Sequence, residues 1–172
     1  MLRVYFYPYN FTPQEQKFFL SVINDDRSWG PKWLPTESTA KADWTVSMES
    51  NIGPLSLTYM AVQPRHTSFN LKNWTLVPKP LQGLYSVKDY RTYVINHELG
   101  HVLGHDHASL SEPTLEAPIM IQQTKGLKGF SKNIWPLESE KRQQQTLGRL
   151  KYNEGQRQLE RIWEHCIKHK YV

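Results

Sequence analysis

Cysteine is nearly missing from these 172 residues: Cys166 stands alone, so no internal disulfide can form, and a reducing compartment fits. No apolar run approaches the roughly 18 residues that a membrane helix needs, so no membrane span is expected. The opening Met1–Pro8 is too short and too aromatic for the apolar core of a signal peptide. It reads as a first strand, and a cytoplasmic location is expected. Internal repeats and low-complexity segments are lacking. Acidic excess is lacking too. Residues 1–124 hold 10 Lys/Arg against 11 Asp/Glu, whereas residues 125–172 hold 11 against 5. The basic surplus is therefore C-terminal. It suits a solvated helix face better than a nucleic-acid partner. What is present is apolar and aromatic: 38% hydrophobic residues with 12% aromatic, enough for one core in one domain, 1–172.

Local patterns give the elements. Leu2–Tyr7, rich in Val, Tyr and Phe, reads as a buried strand. Thr12-Pro13-Gln14-Glu15 opens a helix, with Thr12 as cap and Glu15 closing a capping box. Phe18, Phe19, Val22 and Ile23 give that helix its apolar face. Residues 25–35 read as loop, with Trp29 and Trp33 folded down. Strands are expected at Asp43–Glu49 and Leu55–Gln63, around the turn cluster Asn51-Ile52-Gly53-Pro54. Another is expected at Phe69–Val77. Ser86-Val87-Lys88-Asp89 is a second capping box, and Tyr90, Tyr93, Val94 and His97 then share one helical stripe. Residues 108–136 are loop-like. A helix is expected from Glu138 to about Lys170, broken near Asn153-Glu154-Gly155, with a stripe at Leu159, Ile162, Trp163 and Cys166 that docks on the protein's own core. The expected class is α+β. A small twisted mixed sheet with two helices (residues 1–107) lies above a cleft, and a loop-plus-helix part (108–172) lies below it.

The helix opened by Ser86 carries His97-Glu98-Leu99-Gly100-His101-Val102-Leu103-Gly104-His105-Asp106-His107, or HExxHxxGxxH. By composition, five fixed letters arise by chance in roughly one chain in 10⁴–10⁵. His97 and His101 are four apart and project from one helix face, so they can share a metal ion. Glu98 can reach a water on that ion without being a ligand. His105 continues the same series but lies about 12 Å along a straight helix from His97. With zinc–nitrogen bonds of ~2.0–2.1 Å, one ion cannot hold both. The chain must bend first, and Gly104 can take the positive φ that ends a helix. His107 then returns as the third ligand, and His105 is expected to be an exposed neighbour. His66 reads as a surface or loop histidine. His165 and His169, four apart on the last helix, lack a third partner.

This motif resembles the signature of the metzincin clan of zinc metallopeptidases. The clan has a methionine turn beneath its metal, and Ala117-Pro118-Ile119-Met120 fits it, with Met120 in the methionine's place. Tyr90-Arg91-Thr92-Tyr93-Val94-Ile95-Asn96, the motif, Gln122–Leu127 and Asn133-Ile134-Trp135-Pro136 are also similar to an uncharacterised metzincin-like family. That family is known mainly from secreted actinobacterial proteins. The likeness covers about residues 25–136 and is strongest over 90–136. The chain departs from that family in lacking both cysteines around the methionine turn and a secretion signal. The resemblance implies one catalytic zinc at the floor of the cleft, and Ile121 after Met120 offers no extra tyrosine ligand.

Zinc-activated water, with Glu98 as general base, would then hydrolyse a peptide bond. The expected partner is a peptide or protein, extended along an edge strand around Leu55–Gln63, with Thr124–Phe130 walling the pocket beyond the scissile bond. Two other readings keep the same site. One is a zinc-dependent amidohydrolase acting on a non-peptide amide. The other is a non-enzymatic binding module with structural zinc and a basic C-terminal helix.

Overall fold

The computed structural model describes residues 1–109 and 115–144. The stripe at Leu159–Cys166, the His165/His169 pair and the break near residue 154 lie outside the described residues. A helix at residues 138–144 begins where the C-terminal helix is expected.

Five strands form one mixed sheet: β1 (Leu2–Phe6), β2 (Trp33–Pro35), β3 (Trp44–Glu49), β4 (Leu57–Tyr59) and β5 (Arg65–Asn70). Their spatial order is β2-β1-β3-β5-β4. All pairings are parallel except β4 with β5, which is antiparallel and sets Thr58 opposite Thr67. Side chains alternate across the pleat. Trp44, Val46 and Met48 of β3 and Phe69 of β5 enter the core. Thr45 and Ser47 of β3 point to the opposite face, where both hydroxyls hydrogen-bond the ring of His66 at 2.8 and 3.1 Å.

Helix α1 (Pro13–Ile23) starts with the capping box that its sequence encodes. Thr12 Oγ1 accepts from Glu15 N–H at 3.2 Å, and Glu15 Oε2 accepts from Thr12 N–H at 2.9 Å. Glu15 Oε1 also accepts from Trp74 Nε1–H at 3.0 Å, so the cap ties α1 to α2 (Leu71–Thr75). Between helices and sheet lie Phe19, Trp44, Phe69 and Trp74. Their ring centroids sit 5.3–5.9 Å apart along the series, at edge or tilted angles. Such pairs are worth ~0.5–1.5 kcal/mol each beyond their burial.

Helix α3 (Val87–Val102) runs through the middle of the molecule. It is buried nearly all round, with Ile95, Asn96 and Leu99 fully enclosed besides the tyrosine stripe. Asn96 is its anchor. It accepts from Ser28 Oγ–H at 2.7 Å through Oδ1 and donates to Ile134 O at 3.0 Å, while its carbonyl accepts from Trp29 Nε1–H at 2.8 Å. Those bonds fold Trp29 down onto the helix. Arg65 of β5 donates to Val102 O at the helix C-terminus, where a cation is favoured. Among the described residues, no helix is long and apolar enough to cross a membrane.

Four local expectations are corrected. Trp33–Pro35 is a strand, because β1 offers it a parallel edge. The strand expected over Phe69–Val77 is instead the end of β5 followed by α2. Asn70 breaks the extended run by accepting from Asn73 N–H at 3.0 Å as a helix cap. The edge strand is shorter than Leu55–Gln63, because only Leu57–Tyr59 pair with β5. His66 is no loop histidine: it sits half-buried in β5, under the stacked ring of Tyr59.

Candidate metal centre

Two helix ends aim this site. At the start of α3, Ser86 Oγ accepts from Asp89 N–H at 3.0 Å, and Asp89 Oδ2 accepts from Ser86 N–H at 3.2 Å. At its end, Gly104 adopts φ 103°. Gly104 N–H donates to His101 O and His105 N–H to Gly100 O, both at 2.9 Å, the paired bonds of a glycine-terminated helix. This turn lets the chain fold back within three residues.

It also decides the third imidazole. His97 is buried, His101 half-buried and His107 exposed, and one ring nitrogen from each lies within 4.8 Å of the others. Among the described residues, these three form the one such group of His, Cys, Asp or Glu. His105, expected to be exposed, is buried with 4% of its surface accessible. The reversal at Gly104 swings it away from the cluster and against Trp29, with ring centroids 4.5 Å apart. Its carbonyl serves the cluster instead.

Backbone carbonyls fix the tautomers. His97 Nδ1–H donates to Ile119 O at 2.7 Å, and His101 Nδ1–H donates to His105 O at 2.7 Å. A carbonyl can only accept, so each Nδ1 carries the proton and each Nε2 of the neutral ring keeps a lone pair. His101 Nε2 lies 3.2 Å from His107 Nε2. Two nitrogens held by one tetrahedral ion at ~2.0–2.1 Å would be about 3.3 Å apart. Burial holds the pKa of all three imidazoles below the ordinary range, that of His97 down to about 3. Uncharged imidazoles with anchored Nδ1 atoms fit a zinc-type cation.

Glu98 lies beside the cluster with 4% exposure, and burial pushes its pKa up to about 7. Its Oε2 accepts from Thr58 Oγ1–H at 2.6 Å. Behind Thr58, the Thr67 hydroxyl lies at 2.8 Å, and Thr67 Oγ1 accepts from Trp44 Nε1–H at 2.9 Å. The direction of this relay is set at both ends. The indole can only donate and, above its pKa, the Glu98 carboxylate can only accept, so in that state each threonine accepts from one side and donates to the other. The relay holds Oε2, and Glu98 borders the cleft. That cleft has a volume of about 510 Å³. It is bordered by residues 55–58 and Met60 around β4, by Tyr93, Val94, Glu98 and the three histidines, and by Asp106, Gln122 and Thr124.

Met120 is buried to 2% and lies against Gly100, the α3 residue between His97 and His101. A Cβ at position 100 would fall far inside the van der Waals contact distance of Met120 Sδ and 2.9 Å from Trp29 Cζ2. Gly100→Ala is therefore expected to destabilise the fold by ~1–3 kcal/mol, read as a lower urea midpoint. An unchanged midpoint would mean that Met120 and Trp29 repack without strain. The sequence pattern marks Gly104 and Met120 but not Gly100, Thr58 or Thr67. The threonines belong to strands some 30–40 residues before the motif, and no local spacing links them to it.

No curated protein matches this chain. The span that builds the relay, the three imidazoles and the Ile119–Met120 turn falls within residues 38–154, which match a family described as "Protein of unknown function (DUF3152)". That match takes in more than half of the chain, and the protein belongs to this family.

Proposed function

We propose that this protein is a zinc-dependent endopeptidase of metzincin type, with His97, His101 and His107 as ligands and Glu98 as general base. One observation carries the reading. A buried carboxylate with one oxygen tethered lies beside three convergent, uncharged imidazoles in an open cleft. When bound, zinc supplies Lewis acidity and a water acidified toward a pKa of about 7. Glu98 takes the proton from the attacking water and passes it to the leaving amine. Thr58 keeps the carboxylate in the rotamer that faces the cleft. The outer edge of β4, which pairs with no further strand among the described residues, offers backbone groups to an extended peptide, and Thr124 and Gln122 also border the cleft.

A structural role for the metal is less well supported. No fourth His, Cys, Asp or Glu joins the cluster among the described residues, whereas structural zinc sites are closed by four protein ligands. Parallel strands with one antiparallel edge, then ligand helix, glycine turn and methionine turn, support the metzincin assignment over a general α+β one. Digestion of a peptide library by zinc-loaded protein tests the reading. Cleavage is expected to stop with a chelator and return with added zinc. A loaded protein that leaves peptides intact but hydrolyses small non-peptide amides would be an amidohydrolase instead.

A further inference from the structure

Glu140 is a buried carboxylate that the chemistry above does not use. It is 6% exposed and lies on the helix at residues 138–144. No Lys or Arg ion-pairs with it among the described residues. Its Oε2 accepts from Leu137 N–H at 2.9 Å and from Ile119 N–H at 3.0 Å. Its Oε1 accepts from Met120 N–H at 2.9 Å. Three backbone donors thus replace the water that a carboxylate loses on burial.

The last of these bonds is the informative one. The amide joining Ile119 to Met120 has two faces. Its N–H donates to Glu140, and its C=O accepts from His97 Nδ1–H at 2.7 Å. A negative charge on the N–H side polarises the amide, and hydrogen bonds in series strengthen one another. The carbonyl becomes the better acceptor, and the imidazole that donates to it becomes the more basic ligand at Nε2. In many metal sites a carboxylate touches the histidine directly to this end. Here one peptide group stands between them.

Resting on the metal-centre reading above, we propose that Glu140 is a positioning residue for the metal site: through the Ile119–Met120 amide it fixes the tautomer and ring orientation of His97. The same contacts tie the helix at 138–144 to the floor of the cleft. The site is therefore completed from the C-terminal part of the chain, more than 30 residues beyond His107.

Cobalt(II) is the probe. Metal-free wild type and Glu140→Gln are titrated with Co²⁺ against a competing chelator, with the visible spectrum recorded and the His97 ring nitrogens followed by NMR. Glutamine keeps the size and loses the charge. Wild type is expected to bind Co²⁺ with His97 in the Nδ1–H tautomer. Glu140→Gln is expected to bind 10–100-fold more weakly, with a changed visible spectrum and a shifted His97 Nδ1 signal. Glu140→Asp, which keeps the charge, should recover part of the loss. Wild-type affinity, spectrum and His97 signals in Glu140→Gln would overturn the proposal, even with a lowered Tm, and would leave the peptidase reading standing. Should Glu140→Gln not fold, the wild type decides: metal-free His97 as the Nε2–H tautomer overturns the link. Wild type that takes up no Co²⁺ removes the metal centre and this proposal together. Metal uptake with the Glu140 effect but without peptide cleavage supports the proposal and sinks the peptidase alone.

Discussion

Glu98→Gln is expected to retain its metal and lose ~10²–10⁴-fold in kcat, the usual contribution of a positioned general base. Glutamine has nearly the same volume. Its amide oxygen can still accept from Thr58 Oγ1–H, now at 2.6 Å, so the relay back to Trp44 and the local packing should persist. What disappears is the capacity to take a proton. Neither His97 nor His101 can replace it, because each has its Nδ1 proton committed to a backbone carbonyl. KM should move little, since the carboxylate is not needed to seat the peptide. Zinc content by elemental analysis, beside kcat on a cleaved library peptide, separates chemistry from binding. Unimpaired turnover in a zinc-replete Glu98→Gln protein would remove this carboxylate from the reaction.

His107→Ala should weaken zinc binding by about two decades, whereas His105→Ala should leave it within a fewfold of wild type. The figure follows from the ~10–16 kcal/mol by which four ligands hold a structural zinc, about 3 kcal/mol for each. The asymmetry comes from the turn at Gly104. His107 brings its Nε2 to 3.2 Å from that of His101, while His105 lies buried against Trp29. The bond that His105 gives to His101 comes from its backbone carbonyl, which alanine also has. Its loss should appear as lower stability, by ~2 kcal/mol for a buried ring that leaves a cavity. Competition with a chelator gives the affinities, and urea unfolding gives the stabilities. Equal zinc loss in both variants would mean that the turn does not sort the two imidazoles as drawn.

Much of the site's local architecture is written in short-range order. The capping boxes at Thr12 and Ser86 depend on residues three apart, and both form as their spelling implies. The four-residue step from His97 to His101 sets two rings on one face, and a glycine at 104 permits the reversal. β1 and β3 also lie within a residue of their expected bounds. Where local order misled, a neighbour from elsewhere had decided the matter. Trp33–Pro35 is too short to announce itself, and it is a strand only because β1 lies alongside. The run from Phe69 carries the strand-forming Trp74, Thr75 and Val77, yet Asn70 caps a helix that Trp74 docks through Glu15. His105 fits the helical period of His97 and His101, and only the positive φ at Gly104 turns it inward.

What the sequence by itself determined is the order of the cluster: two imidazoles and a carboxylate on one helix, a hinge and a third imidazole, all within eleven consecutive residues. Only the tertiary structure decided how that set is held. Thr58 reaches Glu98 across 40 positions, Ile119 holds His97 across 22, and Glu140 holds Ile119 across 21. Spacing along a helix fixes directions because the backbone is rigid there. Bonds between segments depend on strand register and on which polar groups burial leaves in need of partners, and those are settled only when the sheet edge, the central helix and the methionine turn meet.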